Sequence, residues 1–388
     1  MRLSVMMNLP LKRNSDVDRG QRQIIFVCGT PHGGALDSTV ALARCAIDAG
    51  HKVEVVVAAA DLYATNRRLN ALIVRMGRWS GRLRSLLWSG YERWYGTSRR
   101  EVIGGVRALR AQDVVGASRR LLRGGDVLVV NSVRRLDLER LCLIKNANVM
   151  IAWYLREESS LSAVAEFGSR VDVLLANSRP LSALATSGAG RGCLYVPSVI
   201  TVDDLCEPVD RRVVLLVNAV PSYGLEEAFA IARLMPQDHV VLQESWPLSS
   251  EELAVLRERL AEHPNVEFRS RVSRPEVFRD ARVVLLPHSA QAVGAHRPRV
   301  ALEAQYLGFP VIAYDVPGLA AVTSSPELLI SLGSPIRDWV DRIRLVDAEY
   351  EHFVAAARAF AADELLDPIE VWNRFADSTG LAAVVSGQ

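Results

Sequence analysis

The residues best placed to do chemistry form one run, Arg297-Pro298-Arg299-Val300-Ala301-Leu302-Glu303-Ala304, followed by Gly308-Phe309-Pro310-Val311-Ile312-Ala313. A proline at the first turn of a helix loses no hydrogen bond. The amides of that first turn stay unpaired, and they lie at the positive end of the helix dipole. Such a terminus holds a phosphate, and two arginines beside it favour an anion further. The amides expected to do this belong to Arg299, Val300 and Ala301. Glu303 follows one turn inside, where a carboxylate can accept both hydroxyls of a ribose.

Four other places could take part. Asn218-Ala219-Val220-Pro221-Ser222-Tyr223-Gly224 joins a strand to a helix at 225–234. Gly33-Gly34 ends a loop that opens another helix, and glycine there permits positive φ and close backbone approach. His32 and Asp37 flank it, with His32 a candidate for handling a proton. Trp153-Tyr154-Leu155-Arg156-Glu157-Glu158 closes a strand, and parallel sheets place ligands at the carboxyl ends of their strands. Arg156 there suits either an anionic group or an ion pair with Glu157 or Glu158. Finally, residues 66–100 hold nine arginines against the single acid Glu92, interleaved with Trp79, Trp88, Trp94, Tyr91, Tyr95 and leucines. A cationic helix with an aromatic face suits an anionic membrane surface. Ordinary solvated helices, or RNA bound by stacking, give the same composition.

These residues need a frame. Ile24–Gly29 reads as a buried strand, 36–49 as a helix stopped by Gly50, and Val53–Ala59 as the next strand, the repeating unit of a parallel sheet. Asp126–Asn131, Val149–Tyr154 and Val171–Asn177 continue that series. Val196–Ile200 reads as a hinge. Strands at 213–217, 240–243, 266–269, 283–287 and 310–314 form a second series. The stretch Pro368–Phe375 is amphipathic about Val371, Trp372 and Phe375.

The 388 residues suffice for two domains. Net charge is only +2, which gives no global field for nucleic acid. The five cysteines are scattered without Cys-x-x-Cys spacing, so neither a zinc site nor a disulfide framework is expected. The histidines are dispersed, and no metal cluster is expected. Asp16-Val17-Asp18 follows no strand and is read as chance. Residues 1–23 carry no signal-peptide core, and no stretch is apolar enough to span a bilayer. The expected location is the cytoplasm, peripheral to the inner membrane face if 66–100 engages lipid.

The Pro298–Glu303 helix leading to Gly-x-Pro-Val-Ile resembles the nucleotide-sugar signature of glycosyltransferase family 4. The Gly33-Gly34 loop with Gly50-His51-Lys52-Val53, and the closing Asn177-Ser178, are similar to other family segments. The resemblance covers most of 24–320, residues 61–125 excepted. It implies an α/β fold of the GT-B type, with two Rossmann-like domains whose parallel sheets face a central cleft. The N-terminal domain (1–200, with the C-terminal helix 366–388 packed back on it) would bind acceptor. The C-terminal domain (201–365) would bind the donor. The implied reaction is metal-independent transfer of a sugar from a nucleotide diphosphate sugar to a hydroxyl, with retention and without a bound cofactor.

The chain departs from the family in particular places. Ala295 stands where a sugar-contacting Glu is usual, and Arg297-Pro298 replaces Phe-Gly. Asn218 and Tyr223 occupy positions of the diphosphate-neutralising Arg and Lys, and Arg156 stands for a His. Arg297 and Arg299 are expected to restore the lost charge. An inactive partner subunit, a nucleotide-sugar epimerase or a phosphorylase on the same fold are the alternatives.

Overall fold

A computed structural model describes residues 22–59, 98–144, 148–201, 205, 210–288 and 297–381. Two sheets organise them. The first has eight strands in the order β3-β4-β2-β1-β5-β6-β7-β8. These are β1 Gln23–Cys28, β2 Lys52–Ala58, β3 Ser98–Ile103, β4 Val106–Ala111, β5 Val127–Asn131, β6 Met150–Leu155, β7 Val173–Ala176 and β8 Leu194–Tyr195. The second has six in the order β11-β10-β9-β12-β13-β14. Its members are β9 Val213–Val217, β10 His239–Gln243, β11 Val266–Arg269, β12 Ala281–Leu286, β13 Val311–Tyr314 and β14 Leu329–Ile330. Every described pairing is parallel except β3 with β4.

The central strands are near-continuous apolar runs because helices cover both faces of a parallel sheet. Ile24, Phe26 and Cys28 face one core layer of the first sheet, and Ile25 and Val27 face the other. The second sheet has a core of its own, built around Val214–Leu216 and Val283–Leu286. This is the GT-B architecture.

Helix Pro368–Thr379 leaves the second domain and lies against helix Gly34–Asp48 of the first. Phe375 is fully buried, its ring centroid 6.3 Å from that of Phe26. Asp367 caps the helix through its side chain, and Pro368 occupies the first turn.

One expectation is corrected here. Arg99 and Arg100 were grouped with a cationic helix, but they sit on β3, opposite Arg110 and Leu109 of β4. The Gly104-Gly105 turn, with φ of 53° and 80°, makes this an antiparallel hairpin. Residues 60–97, which hold the rest of that basic aromatic stretch, lie outside the described residues. Asp16 and Asp18, Cys206, Ala295 and residues 382–388 do so as well. Among the described residues, no helix is long and apolar enough to cross a membrane.

Candidate active site between the two sheets

The singled-out loops all emerge at carboxyl ends of parallel strands. Helix Arg299–Tyr306 opens after Pro298 (φ −71°, ψ 125°) with no side-chain cap. Helix Gly34–Asp48 opens after Gly33 (φ 84°, ψ −176°), also without a side-chain cap. One side chain joins them. Arg299 Nη1 donates to the Gly34 carbonyl oxygen at 3.2 Å and to Ser38 Oγ at 3.4 Å, and lies 3.6 Å from Asp37 Oδ2.

The same guanidinium binds Glu303, with Nε and Nη2 reaching Oε1 at 3.1 and 2.8 Å. Arg274, which follows β11, brings Nη2 to within 2.9 Å of that oxygen. Its Nη1 donates to Thr201 Oγ1, just past the hinge, at 3.0 Å. Burial opposes ionisation of Glu303, but Arg299 and Arg274 outweigh it and hold the carboxyl below its ordinary range. Both arginines converge on Oε1, and among the described residues the hydrogen bonds to Glu303 leave Oε2 unused. A carboxylate fixed in this way presents Oε2 as a ready acceptor for a hydroxyl.

Arg297 has a different fate from Arg299. It is buried, its Nη2 pairs with Glu364, and Nη1 lies 3.5 Å from Tyr195 Oη. Its charge is matched at the junction of the domains, so restoring positive charge in the cleft falls to Arg299, with Arg274 beside it.

Asn218 takes the left-handed region (φ 70°), which asparagine tolerates better than most residues. Its amide donates to the Gln243 carbonyl. Gly224 closes the loop at φ 87°, and a Cβ there would meet Pro287 Cγ at 2.1 Å. Tyr223 lies edge-on to His288 at 4.3 Å and to Trp246 at 4.9 Å between centroids. Burial, and then the charge of Glu157, push the Tyr223 phenol up, so it remains a proton donor at neutral pH. Trp246 reaches the opposite domain, where a Cβ on Gly33 would stand 2.9 Å from its Nε1.

His32 is half-buried. Desolvation, then the charges of Arg271 and Arg110, draw its pKa below 6.5. Arg156 is 6 % exposed. Its Nη1 donates to Ser198 Oγ at 2.9 Å, and its guanidinium carbon lies 4.3 Å from the Tyr154 ring centroid. It forms no ion pair with Glu157 or Glu158. Glu157 is exposed and accepts from Ser159 Oγ.

The structure thus gathers Gly33, Gly34, Arg299, Val300, Ala301 and Glu303 at one point, and sets Tyr223 beside Trp246. Sequence reasoning missed Arg274, Trp246, Ser198 and Ser38. Trp246 carried a usable signal, a lone aromatic just past a strand's carboxyl end. Arg274 carried none, because it is one arginine among many. Among the described residues, no group of three or more His, Cys, Asp and Glu side chains could hold a metal ion.

A cleft between two such sheets, with helix N-termini on both walls, defines a GT-B protein. Residues 237–346 match the family model described as "Glycosyl transferases group 1". No curated protein matches the chain. Among solved structures it is similar to HepE of Anabaena in complex with UDP, at 15 % identity and TM-score 0.66, covering 92 % of this chain and 100 % of that one. It is also similar to sucrose-phosphate synthase from Thermosynechococcus elongatus, at 16 % identity and TM-score 0.63, covering 93 % and 97 %. A third similar structure is the pneumococcal O-GlcNAc transferase GtfA in complex with UDP and GlcNAc, at 10 % identity and TM-score 0.64, covering 93 % and 99 %.

Proposed function

We propose that this chain is a nucleotide-sugar-dependent glycosyltransferase that moves a sugar to an acceptor hydroxyl with retained anomeric configuration. The observation that carries the reading is the uncapped first turn of helix Arg299–Tyr306, with Arg299 beside it and Glu303 Oε2 free one turn inside. The match of residues 237–346 and the fold support it. The diphosphate takes the helix amides and Arg299, and a ribose hydroxyl donates to Glu303 Oε2.

Stabilising charge on the departing diphosphate is the main catalytic task. The leaving group takes the acceptor proton in this scheme, so no dedicated base is required. His32, its pKa drawn down by burial, can orient an acceptor hydroxyl near Gly33 by accepting a hydrogen bond from it. Arg156 and Glu157 face the transferred group from the first domain. Trp246 and Tyr223 keep water from the donor as the cleft closes.

A thermal-shift and donor-consumption screen with uridine, guanosine, thymidine and adenosine diphosphates and their sugars tests this. One base should stabilise the protein, by about 2.7 kcal/mol at a hundredfold excess over Kd. R299A and E303A should cut that stabilisation by about half or more. No shift with any of the four removes the reading.

The absence of cations at Asn218 and Tyr223 favours one rival, an inactive partner of the same fold. Nucleotide binding without transfer or hydrolysis across an acceptor panel would select it. The arginine- and aromatic-rich stretch 66–97 supports an acceptor presented at an anionic membrane, and vesicle flotation with and without phosphatidylglycerol tests that part separately.

A further inference from the structure

Arg156 is a cation buried without an anion. It leaves the carboxyl end of β6 and is 6 % exposed. Among the described residues no carboxylate pairs with it, and its Nε has no hydrogen-bond partner. Its one hydrogen bond runs from Nη1 to Ser198 Oγ, and its flat face lies on Tyr154. Among the described residues the edge formed by Nε and Nη2 makes no hydrogen bond, and its Nε is buried. That edge is the fork that grips a carboxylate with two parallel bonds.

Burial draws the Arg156 pKa down, and among the nearby charges Arg299 lowers it while Glu157 opposes. Arg299 and Arg274 share a single carboxylate, Glu303. Three guanidiniums thus stand against one buried carboxylate, with Asp37 and Glu157 exposed at the edge. Burying a charge without its counterion is strongly unfavourable. A bound anion would offset that cost.

The position says which part of a ligand would supply it. The diphosphate belongs at the first turn of helix Arg299–Tyr306, in the second domain. Arg156 belongs to the first domain, across the cleft. Whatever is being transferred must lie between the two. We infer that Arg156 receives a carboxylate on the transferred sugar, so that the donor is a nucleotide hexuronate rather than a neutral hexose. This inference rests on the nucleotide-sugar reading above and narrows it to a substrate class.

Calorimetric titration of the full chain decides it, using UDP, UDP-glucose and UDP-glucuronate alongside GDP, GDP-mannose and GDP-mannuronate. For the base that binds, the hexuronate should bind about tenfold more tightly than the neutral sugar, the scale of a charge-assisted hydrogen bond. Arg156→Met should erase that preference, bringing hexuronate and neutral sugar to equal affinity, and Arg156→Lys should keep part of it. Equal binding of hexuronate and hexose by the unaltered protein overturns the inference, whether or not Arg156→Met folds. So does an Arg156→Met protein that loses affinity for the parent diphosphate by the same factor as for the hexuronate, since Arg156 would then hold the diphosphate. If neither UDP nor GDP binds, this inference falls, and the nucleotide reading falls as well only if the thymidine and adenosine diphosphates also fail to bind. Diphosphate binding without sugar preference removes this inference alone.

Discussion

Arg299 Nη1 and the carbonyl oxygen of Gly34 lie 3.2 Å apart across the cleft, joining the first turn of one domain's helix to the first turn of the other's. The same guanidinium fixes Glu303. One side chain therefore sets both the opening of the cleft and the orientation of the carboxylate expected to meet ribose.

R299A should weaken nucleoside diphosphate binding by at least about tenfold, since a charge-assisted hydrogen bond contributes roughly 1.5–3 kcal/mol. Coupling to Glu303 is direct, so a double-mutant cycle of R299A with E303Q should be non-additive by about 1 kcal/mol or more. Titration calorimetry on the four proteins checks both. Additive losses would mean that the pair acts as two independent groups.

Glu303 also predicts how stability depends on pH. Its folded pKa lies below the ordinary 4.5, because two arginines overcome the opposing effect of burial. An acid shifted downward contributes stability that is present above its unfolded value and is lost as pH falls through the folded one. The Tm difference between wild type and E303Q should therefore be flat between neutral pH and about pH 5, then narrow at lower pH. A difference that persists unchanged into strong acid would show that the carboxylate's charge is not what Arg299 and Arg274 hold.

His32 runs in the opposite chemical sense. Desolvation and the charges of Arg271 and Arg110 lower its pKa from 6.5, so the unfolded chain takes up a proton first as pH drops. Stability should begin to fall below 6.5 and level off once the folded pKa is passed. The His32 ring resonance should titrate below 6.5, and R271Q should move its midpoint upward. A midpoint at or above 6.5 would contradict the arrangement of these three residues.

Gly33 combines a positive φ with the close approach of Trp246. G33A should destabilise the protein by about 1–3 kcal/mol from the backbone alone, with a further loss as Trp246 is displaced. In a W246A background that second part should vanish and the first remain. Chemical denaturation of the four variants separates them, and an equal cost in both backgrounds would mean that Trp246 yields freely.

Much of the fold was legible in the chain. The strand at 213–217 falls where the apolar run puts it, because a buried parallel strand carries no polar face to blur the pattern. The hairpin of β3 and β4 was hidden. Its Ser-Arg-Arg-Glu-Val-Ile run is half-exposed at a sheet edge and reads as an extension of the arginine-rich stretch before it. In the site, Arg299 and Glu303 were legible because a helix start fixes their spacing. Arg297, two residues before Arg299, was not distinguishable from it by sequence. Only tertiary structure shows Glu364 claiming the one and the cleft keeping the other. Arg274 belongs to the same class of information, a partner brought in from a distant loop.

Helix Pro368–Thr379 sends Phe375 and Trp372 into the layer that also holds Phe26. A growing polypeptide therefore cannot seal the hydrophobic layer under β1 until the whole second sheet has been made. Domains commonly fold one after another during synthesis. Here the first sheet waits, with an apolar seam unclosed, for a plug that follows the other domain in the chain.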